Sequence, residues 1–306
     1  MVWIFIGMQS TKNRSLTEIY LQAIRTAYPD WEVADSKCEF NSSGQYNDIL
    51  TIDHQYIFRF PKYPEALQQL KVETLLLNTI KPYLSLEIPF PLFQNLIGSR
   101  VGGAFIGYRK IHGEPLWRDT LNAIQDERIL DSLARQLGVF LKELHSIPLS
   151  AIKCELPRLD TSEEAKDIYT RICEKLFLFM RPDARQWTRD HFESFLISRS
   201  NFEYTPVLKH GDFGPSNILF DPHIQTITGV IDFGGAGIGD PAYDFAGLLS
   251  GYGDDFLQRC AKFYPKVISF LDRIYFYRGT FALLEALFGI ENNDLEAFED
   301  GIGMYR

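Results

Sequence analysis

Three side chains in a short stretch of this chain have the types and spacing that phosphoryl transfer needs: Asp212, Asn217 and Asp232. The first two belong to His210-Gly211-Asp212-Phe213-Gly214-Pro215-Ser216-Asn217, which runs into the apolar Ile218-Leu219-Phe220. The third closes the apolar Gly229-Val230-Ile231 and opens Asp232-Phe233-Gly234. Either segment alone is a weak signal, since Asp-Gly pairs are common in turns. An H-x-D-x-x-x-x-N segment followed one short hairpin later by D-F-G is a strong one.

The chemistry explains the residue types. Transfer from a nucleoside triphosphate requires a hydroxyl in line with the γ-phosphorus and neutralisation of the phosphate charge. A carboxylate at Asp212 can accept a hydrogen bond from that hydroxyl and take its proton. Asn217 offers a neutral amide oxygen and Asp232 an anionic one, a donor set suited to Mg²⁺, a hard cation that takes oxygen ligands. A hairpin from Asn217 to Phe220, turning near Asp221-Pro222 and returning over Ile227 to Asp232, brings these ligands to one end.

The elements that must position these residues can be read along the chain. Ser15-Leu16-Thr17-Glu18 has the form of a capping box, followed by an apolar helical stripe at Leu16, Ile19, Tyr20, Ala23, Ile24 and Ala27. Residues 31–60 read as strands broken by the turn Asn41-Ser42-Ser43-Gly44, with Tyr56 to Phe60 stopped by Pro61. A helix is expected over about 64–80 and another strand over 103–111. Beyond Gly113 the pattern turns helical: a stripe from Ile129 to Leu144, further helices over 162–180 and 185–199, and a helix start at Asp240-Pro241. The expectation is an α+β chain with a small β-rich N-terminal lobe over 1–107, a hinge at 108–113 and a large, mainly helical C-terminal lobe over 114–306.

Composition supports two lobes and narrows the partners. The 306 residues are 45% apolar and 14% aromatic, enough for a core in each lobe. Cys38, Cys154, Cys173 and Cys260 show no C-x-x-C pairing, which argues against a zinc site or disulfide framework and suits a reducing cytoplasm. The opening Met1 to Gly7 lacks a basic leader, and no stretch is long enough to span a bilayer, so neither export nor a membrane is expected. A formal charge of −9 disfavours nucleic acid as a partner.

With these motifs placed, nearly the whole chain resembles the aminoglycoside phosphotransferase family, antibiotic kinases of the protein-kinase-like fold, and most closely its 2''-phosphotransferases. The phrases that carry the resemblance are Tyr56 to Lys62, Phe105 to Gly113, Leu141 to Ser146 and Gly239-Asp240-Pro241-Ala242-Tyr243-Asp244-Phe245. The last is typical of small-molecule kinases and unlike a protein-kinase activation segment. The resemblance implies a bilobal fold, a Mg²⁺ cofactor, ATP or GTP as donor, and a monomeric cytoplasmic enzyme that confers antibiotic resistance by phosphorylating a small-molecule acceptor.

It also implies roles for further residues. Arg59 falls at the strand position that clamps the phosphates, where lysine is commoner, and Glu73 at its helical partner. Lys62, just beyond the strand, can share the role. Ser43 and Gly44 fall in the phosphate-covering loop, which carries only one glycine and also reads as an ordinary turn. Backbone groups of Arg109 and Ile111 meet the base at the hinge, and Tyr108 stands at the gatekeeper position, leaning towards GTP. His210 and Asp244 are expected to brace the catalytic loop.

For the acceptor, the resemblance implies carboxylates that receive ammonium groups, and Asp254, Asp255 and Glu285 are the candidates. Ser250 stands where 2''-phosphotransferases usually place an acid. The acids from Glu285 to Asp300, in a stretch without Lys or Arg, also read as a solvated helix face. The aromatic set Tyr275, Phe276, Tyr277, Phe281 and Phe288 suits an apolar acceptor such as a macrolide. A non-catalytic nucleotide-binding protein of this fold is a third reading, against which all three of Asp212, Asn217 and Asp232 are present.

Overall fold

Alternation of apolar and polar residues through 38–61 and 105–109 builds the sheet of the N-terminal half, because successive strand side chains point to opposite faces. The computed structural model describes residues 2–31, 37–97 and 100–306, with side chains from Ser15 onward. The chain divides into two units. The first comprises Met1–Gly113, Ser150–Glu155 and Thr228–Gly234. Its elements are α1 (Val2–Ala27), β1 (Cys38–Asn41), β2 (Asn47–Ile52), β3 (Tyr56–Pro61), α2 (Pro64–Ile80), β4 (Phe93–Asn95) and β5 (Phe105–Arg109).

The five strands form one antiparallel sheet in the order β1-β2-β3-β5-β4. One face carries Leu50, Ile52, Phe58, Phe60 and Phe105, which bury against Tyr20, Leu21 and Ile24 of α1. A second cluster joins Ile106 and Ala104 to Leu67 and Leu70 of α2. Burying each large side chain is worth about 1.5–3 kcal/mol, so the two helices hold the sheet from both faces. Gly107 is required by one close approach: a Cβ there would lie 2.5 Å from the Phe58 ring.

Two local expectations are corrected. The helix runs from Val2, so Ser15 is not its N-cap, and Ile19 faces outward while Leu21 enters the core. The strand expected over 103–111 is confined to Phe105–Arg109, because the N–H groups of Gly103 and Ala104 are taken by the Arg100 carbonyl in a turn.

The second unit comprises Glu114–Leu149, Leu156–Ile227 and Gly235–Arg306. In order it contains β6 (Glu114–Pro115), α3 (Arg118–Ala123), α4 (Glu127–His145), α5 (Ser162–Lys175), α6 (Pro182–Ile197), β7 (Val207–Lys209), β8 (Ile218–Asp221), β9 (Thr226–Val230), β10 (Gly237–Gly239), α7 (Ala242–Tyr252), α8 (Asp254–Ala261), α9 (Leu271–Asn292) and α10 (Leu295–Ile302). Strand β9 begins in this unit and its last three residues count with the first.

Helix α4 starts where Asp126 accepts the Arg128 N–H, and it buries Leu133, Leu137, Phe140, Leu141 and Leu144 completely. The single long helix expected over 162–180 instead stops at Lys175, and a new one starts with Pro182 in its first turn. Two small sheets, β6-β8-β9 and β7-β10, carry the motif segments. No helix among the described residues is long and apolar enough to cross a membrane.

Candidate active site

The segment around Asp212 is held by a buried carboxylate. Strand β7 ends at Lys209, paired with Gly237 of β10, and the chain then turns through His210 and Gly211. The backbone N–H groups of these two residues donate to the Asp244 carboxylate at 2.8 and 2.9 Å. The same carboxylate lies 3.0 Å from Nε2 of His145, the last residue of α4. Burial pushes the Asp244 carboxyl upward, but the His145 hydrogen bond, the neighbouring imidazole charges and the Gly211 amide outweigh it and hold the group below its ordinary value.

Gly211 has φ +82°, and a Cβ there would lie 2.0 Å from the Gly235 carbonyl oxygen, so only glycine fits. Phe213 is buried and stacks on Phe140 of α4 with ring centroids 5.6 Å apart. Asp212 stands between these two anchors. Its N–H donates to His210 Nδ1 at 3.2 Å, and its carboxylate is solvent-exposed. The amide nitrogen of buried Asn217 donates to both the Asp212 carboxylate (2.8 Å) and the Asp212 carbonyl (2.9 Å). That pairing spends the amide N–H groups of Asn217 on Asp212.

Asp212 opens onto a cavity of about 490 Å³ whose wall includes Trp117, Arg118, Phe213, Tyr243, Ser250 and Phe281. Gly211 and Tyr243 also line a second cavity of about 320 Å³, walled by Phe192, Phe195 and Phe276 and reached by Asp160, Glu164 and Lys209. Lys209 is 2% exposed, pairs with Asp160 at 2.8 Å, and lies 3.5 Å from the centre of the Tyr243 ring. Burial, with the nearby Asp160 and Asp212 charges, pushes the Tyr243 hydroxyl well above its ordinary value. Helix α7 starts one residue later than expected, with Pro241 rather than Asp240 at its N-cap; Asp240, just before it, accepts the Ala242 N–H at 3.0 Å and is paired with Arg273 at 2.5 Å.

In the first unit, Arg59 on β3 and Glu73 on α2 form an ion pair at 2.6 Å, with side chains 12% and 5% exposed. Burial opposes the Arg59 charge, yet Glu73 more than compensates, and the guanidinium is held above its ordinary range. Tyr108 on β5 packs beside them, and burial drives its hydroxyl up to about 12 despite the Arg59 charge. Asp232 sits in the left-handed region at φ +62° and is exposed. Non-glycine residues in that conformation are uncommon and gather at functional positions.

Lys62 points at the loop between β1 and β2. Its ammonium donates to the carbonyls of Ser42 (2.7 Å) and Gly44 (2.5 Å) and lies 3.5 Å from Asp48. Asp48 in turn accepts the hydroxyls of Tyr20 and Ser42, each at 2.6 Å. The Ser43 N–H is already given to Asn41 Oδ1 at 2.8 Å. At the end of β5, Arg109 pairs with Tyr56, and Ile111 is buried.

None of the three candidate acceptor carboxylates lines the cavity at Asp212. Asp254 and Asp255 lie exposed in the first turn of α8, where Tyr275 donates its hydroxyl to Asp254. Glu285 is exposed on α9, where partial burial and the Asp300 charge raise its carboxyl. Residues given no role by the motifs turn out to matter: His145, Asp160, Lys209 and Arg118. Of these His145 alone had a signal in the sequence, inside the phrase Leu141 to Ser146.

Compared with known proteins, residues 37–267 match the profile of the phosphotransferase enzyme family. A viomycin phosphotransferase from Streptomyces vinaceus is 26% identical over 269 residues, 86% of this chain and 91% of its own. A solved structure described as the GDP and kanamycin complex of APH(2")-IIia superposes with a TM-score of 0.83 at 27% identity, covering 93% of this chain and 96% of that one. A macrolide 2'-phosphotransferase from Brachybacterium faecium shares the fold, with a TM-score of 0.74 at 17% identity over 94% and 98% of the two chains.

Proposed function

Because the chain belongs to the phosphotransferase enzyme family, we propose that it moves the γ-phosphoryl group of ATP or GTP to a hydroxyl of an aminoglycoside antibiotic, at the 2'' position, and so confers resistance. The acceptor hydroxyl donates to the Asp212 carboxylate, which takes its proton as the new O–P bond forms and the nucleoside diphosphate leaves. The observation that carries this reading is the double hold of Asn217 on Asp212: an exposed carboxylate, fixed in orientation, on the wall of a cavity of small-molecule size.

The remaining roles follow from the same reading. Arg59, braced by Glu73, clamps the donor phosphates, and its planar fork can serve carboxylate and phosphate together. Lys62 holds the β1–β2 loop, so that Ser43 and Gly44 cover the nucleotide. Residues 1–107 bind the nucleotide, the backbone of Arg109 and Ile111 in the 108–113 hinge meets its base, Tyr108 limits which base fits, and 114–306 bind the acceptor. Asn217 and Asp232 are oxygen donors of the kind Mg²⁺ prefers. Bound there, Mg²⁺ would neutralise charge on the phosphate oxygens. The proposed setting is the cytoplasm, with the protein acting as a monomer. Asp254, Asp255 and Glu285, although outside the lining of that cavity, remain candidates for ammonium groups of the acceptor.

One observation favours a second reading, an acceptor of larger apolar surface such as a macrolide: Trp117, Phe213, Tyr243 and Phe281 line the cavity at Asp212. The deciding experiment is nucleoside-diphosphate release with ATP and with GTP, alone and with kanamycin, gentamicin, viomycin or a macrolide. Stimulation by aminoglycosides that is lost in Asp212→Ala supports the first reading. Stimulation by the macrolide alone supports the second, and unchanged turnover in Asp212→Ala rejects the assigned base.

A further inference from the structure

We infer that Tyr243 is a specificity-determining residue for the acceptor: its hydroxyl hydrogen-bonds a second polar group of the molecule whose reacting hydroxyl meets Asp212. The inference rests on the reading of Asp212 as the base and of an aminoglycoside as the acceptor. Gly211 and Tyr243 line both the cavity at Asp212 and the inner cavity, so Tyr243 is the side chain common to the two walls. Its ring is held from several sides. The Lys209 ammonium lies 3.5 Å from the ring centre, and the rings of Tyr277 and Phe281 stand 5.3 and 5.5 Å away. Its hydroxyl, by contrast, has no hydrogen-bond partner among the described residues.

The other polar side chains of the inner cavity are already engaged. Asp160 and Lys209 pair with each other, Glu164 accepts the Asp160 N–H, Tyr277 donates to Asp240, and Thr280 donates to the Tyr277 carbonyl. A half-buried phenol without a protein partner is open to a ligand. Burial and the nearby carboxylates keep its proton in place, so it offers both a donor and lone pairs. It can donate to a hydroxyl oxygen or accept from an ammonium, the two group types an aminoglycoside carries. Its position relative to the base is fixed by the chain. Tyr243 and Asp244 are neighbours in the first turn of α7, and Asp244 accepts the N–H groups of His210 and Gly211 that lead into Asp212. One helical turn thus sets both the base and the phenol, and an acceptor held by Tyr243 meets Asp212 in a defined orientation.

The test is calorimetric binding of kanamycin to the wild-type protein and to Tyr243→Phe, with melting temperatures and kanamycin-stimulated turnover of both. Phenylalanine keeps the ring beside Lys209 and removes only the hydroxyl. The expected result is a kanamycin Kd about tenfold or more higher in the variant, with the nucleotide KM changed by less than about twofold. The melting temperature should equal or exceed that of wild type, because the lost hydroxyl had no protein partner. Kanamycin derivatives that each lack one hydroxyl or amino group identify the bonded group, since that derivative binds both proteins equally. An unchanged Kd in Tyr243→Phe overturns the inference, as does undetectable kanamycin binding to wild type. So does an affinity loss that comes with a lower melting temperature, which would make the hydroxyl a structural support. If kanamycin binds through Tyr243 but is not phosphorylated, the proposed acceptor falls and the role of Tyr243 stands. Phosphorylation with an equal Kd in both proteins keeps the acceptor and removes that role.

Discussion

The side-chain amide of Asn217 grips Asp212 twice, at the carboxylate and at the main-chain carbonyl. A residue expected to bind a cation therefore also aims the base. Asp212→Asn keeps the local outline but removes the proton acceptor, and kcat should fall about 10²–10⁴-fold with little change in melting temperature. Asn217→Ala should lower kcat as well, and steady-state assays on the two variants separate the base from its anchor. Full activity in Asp212→Asn would rule out the assigned base.

Asp244 accepts the N–H groups of buried His210 and half-buried Gly211 and faces buried His145. Removing it takes a partner from all three, two of them shielded from water. Asp244→Ala should cost about 3–5 kcal/mol, seen as a lower urea midpoint, along with lost activity from a loosened His210–Gly211 turn. A loss of activity with an unchanged midpoint would show that the residue acts in chemistry rather than in support.

At Gly211 even a methyl group is too large, given the 2.0 Å approach to the Gly235 carbonyl and the positive φ. Gly211→Ala should lose at least about 1–3 kcal/mol through backbone strain alone and shift the Asp212 loop. Thermal unfolding together with turnover would detect both effects.

Arg59→Met leaves the Glu73 carboxylate buried and unpaired, which should destabilise by about 3–5 kcal/mol. The double variant Arg59→Met/Glu73→Gln should recover part of that stability but not nucleotide affinity. Arg59→Lys should keep the ion pair and raise the KM for nucleotide, because lysine lacks the planar fork. A double-mutant cycle in urea and nucleotide titrations measures the two contributions.

Glu291 gives a pH signature. Hydrogen bonds from Arg171 and Lys175 hold its carboxyl down at about 2, whereas an unfolded glutamate titrates at about 4.3. A folded-state value below the unfolded one means the contribution is full above about pH 4.3 and is lost as pH falls through about 2. The cluster is partly exposed, so the gain should be under about 1 kcal/mol. Glu291→Gln should unfold at lower urea than wild type at neutral pH, and the gap should close near pH 2. A gap that persists there would mean the lost interaction is packing rather than charge.

The sequence by itself determined the identity and order of Asp212, Asn217 and Asp232, the strand alternation that buries Phe58, Phe60 and Phe105, and the apolar stripe of α4. These are local patterns, readable because side-chain direction follows from a period of two or 3.6 residues. Tertiary structure decided which distant groups meet: His145 with Asp244 across 99 positions, Arg118 with Gly251 across 133, Lys209 with Asp160 across 49. It also decided that Lys62 spends its ammonium on the carbonyls of Ser42 and Gly44, and that the acids of α8 and α9 stand away from the cavity at Asp212. Periodicity tells which face of an element is buried, but not which partner waits there. A charge, unlike an apolar side chain, is defined by the single group that neutralises it.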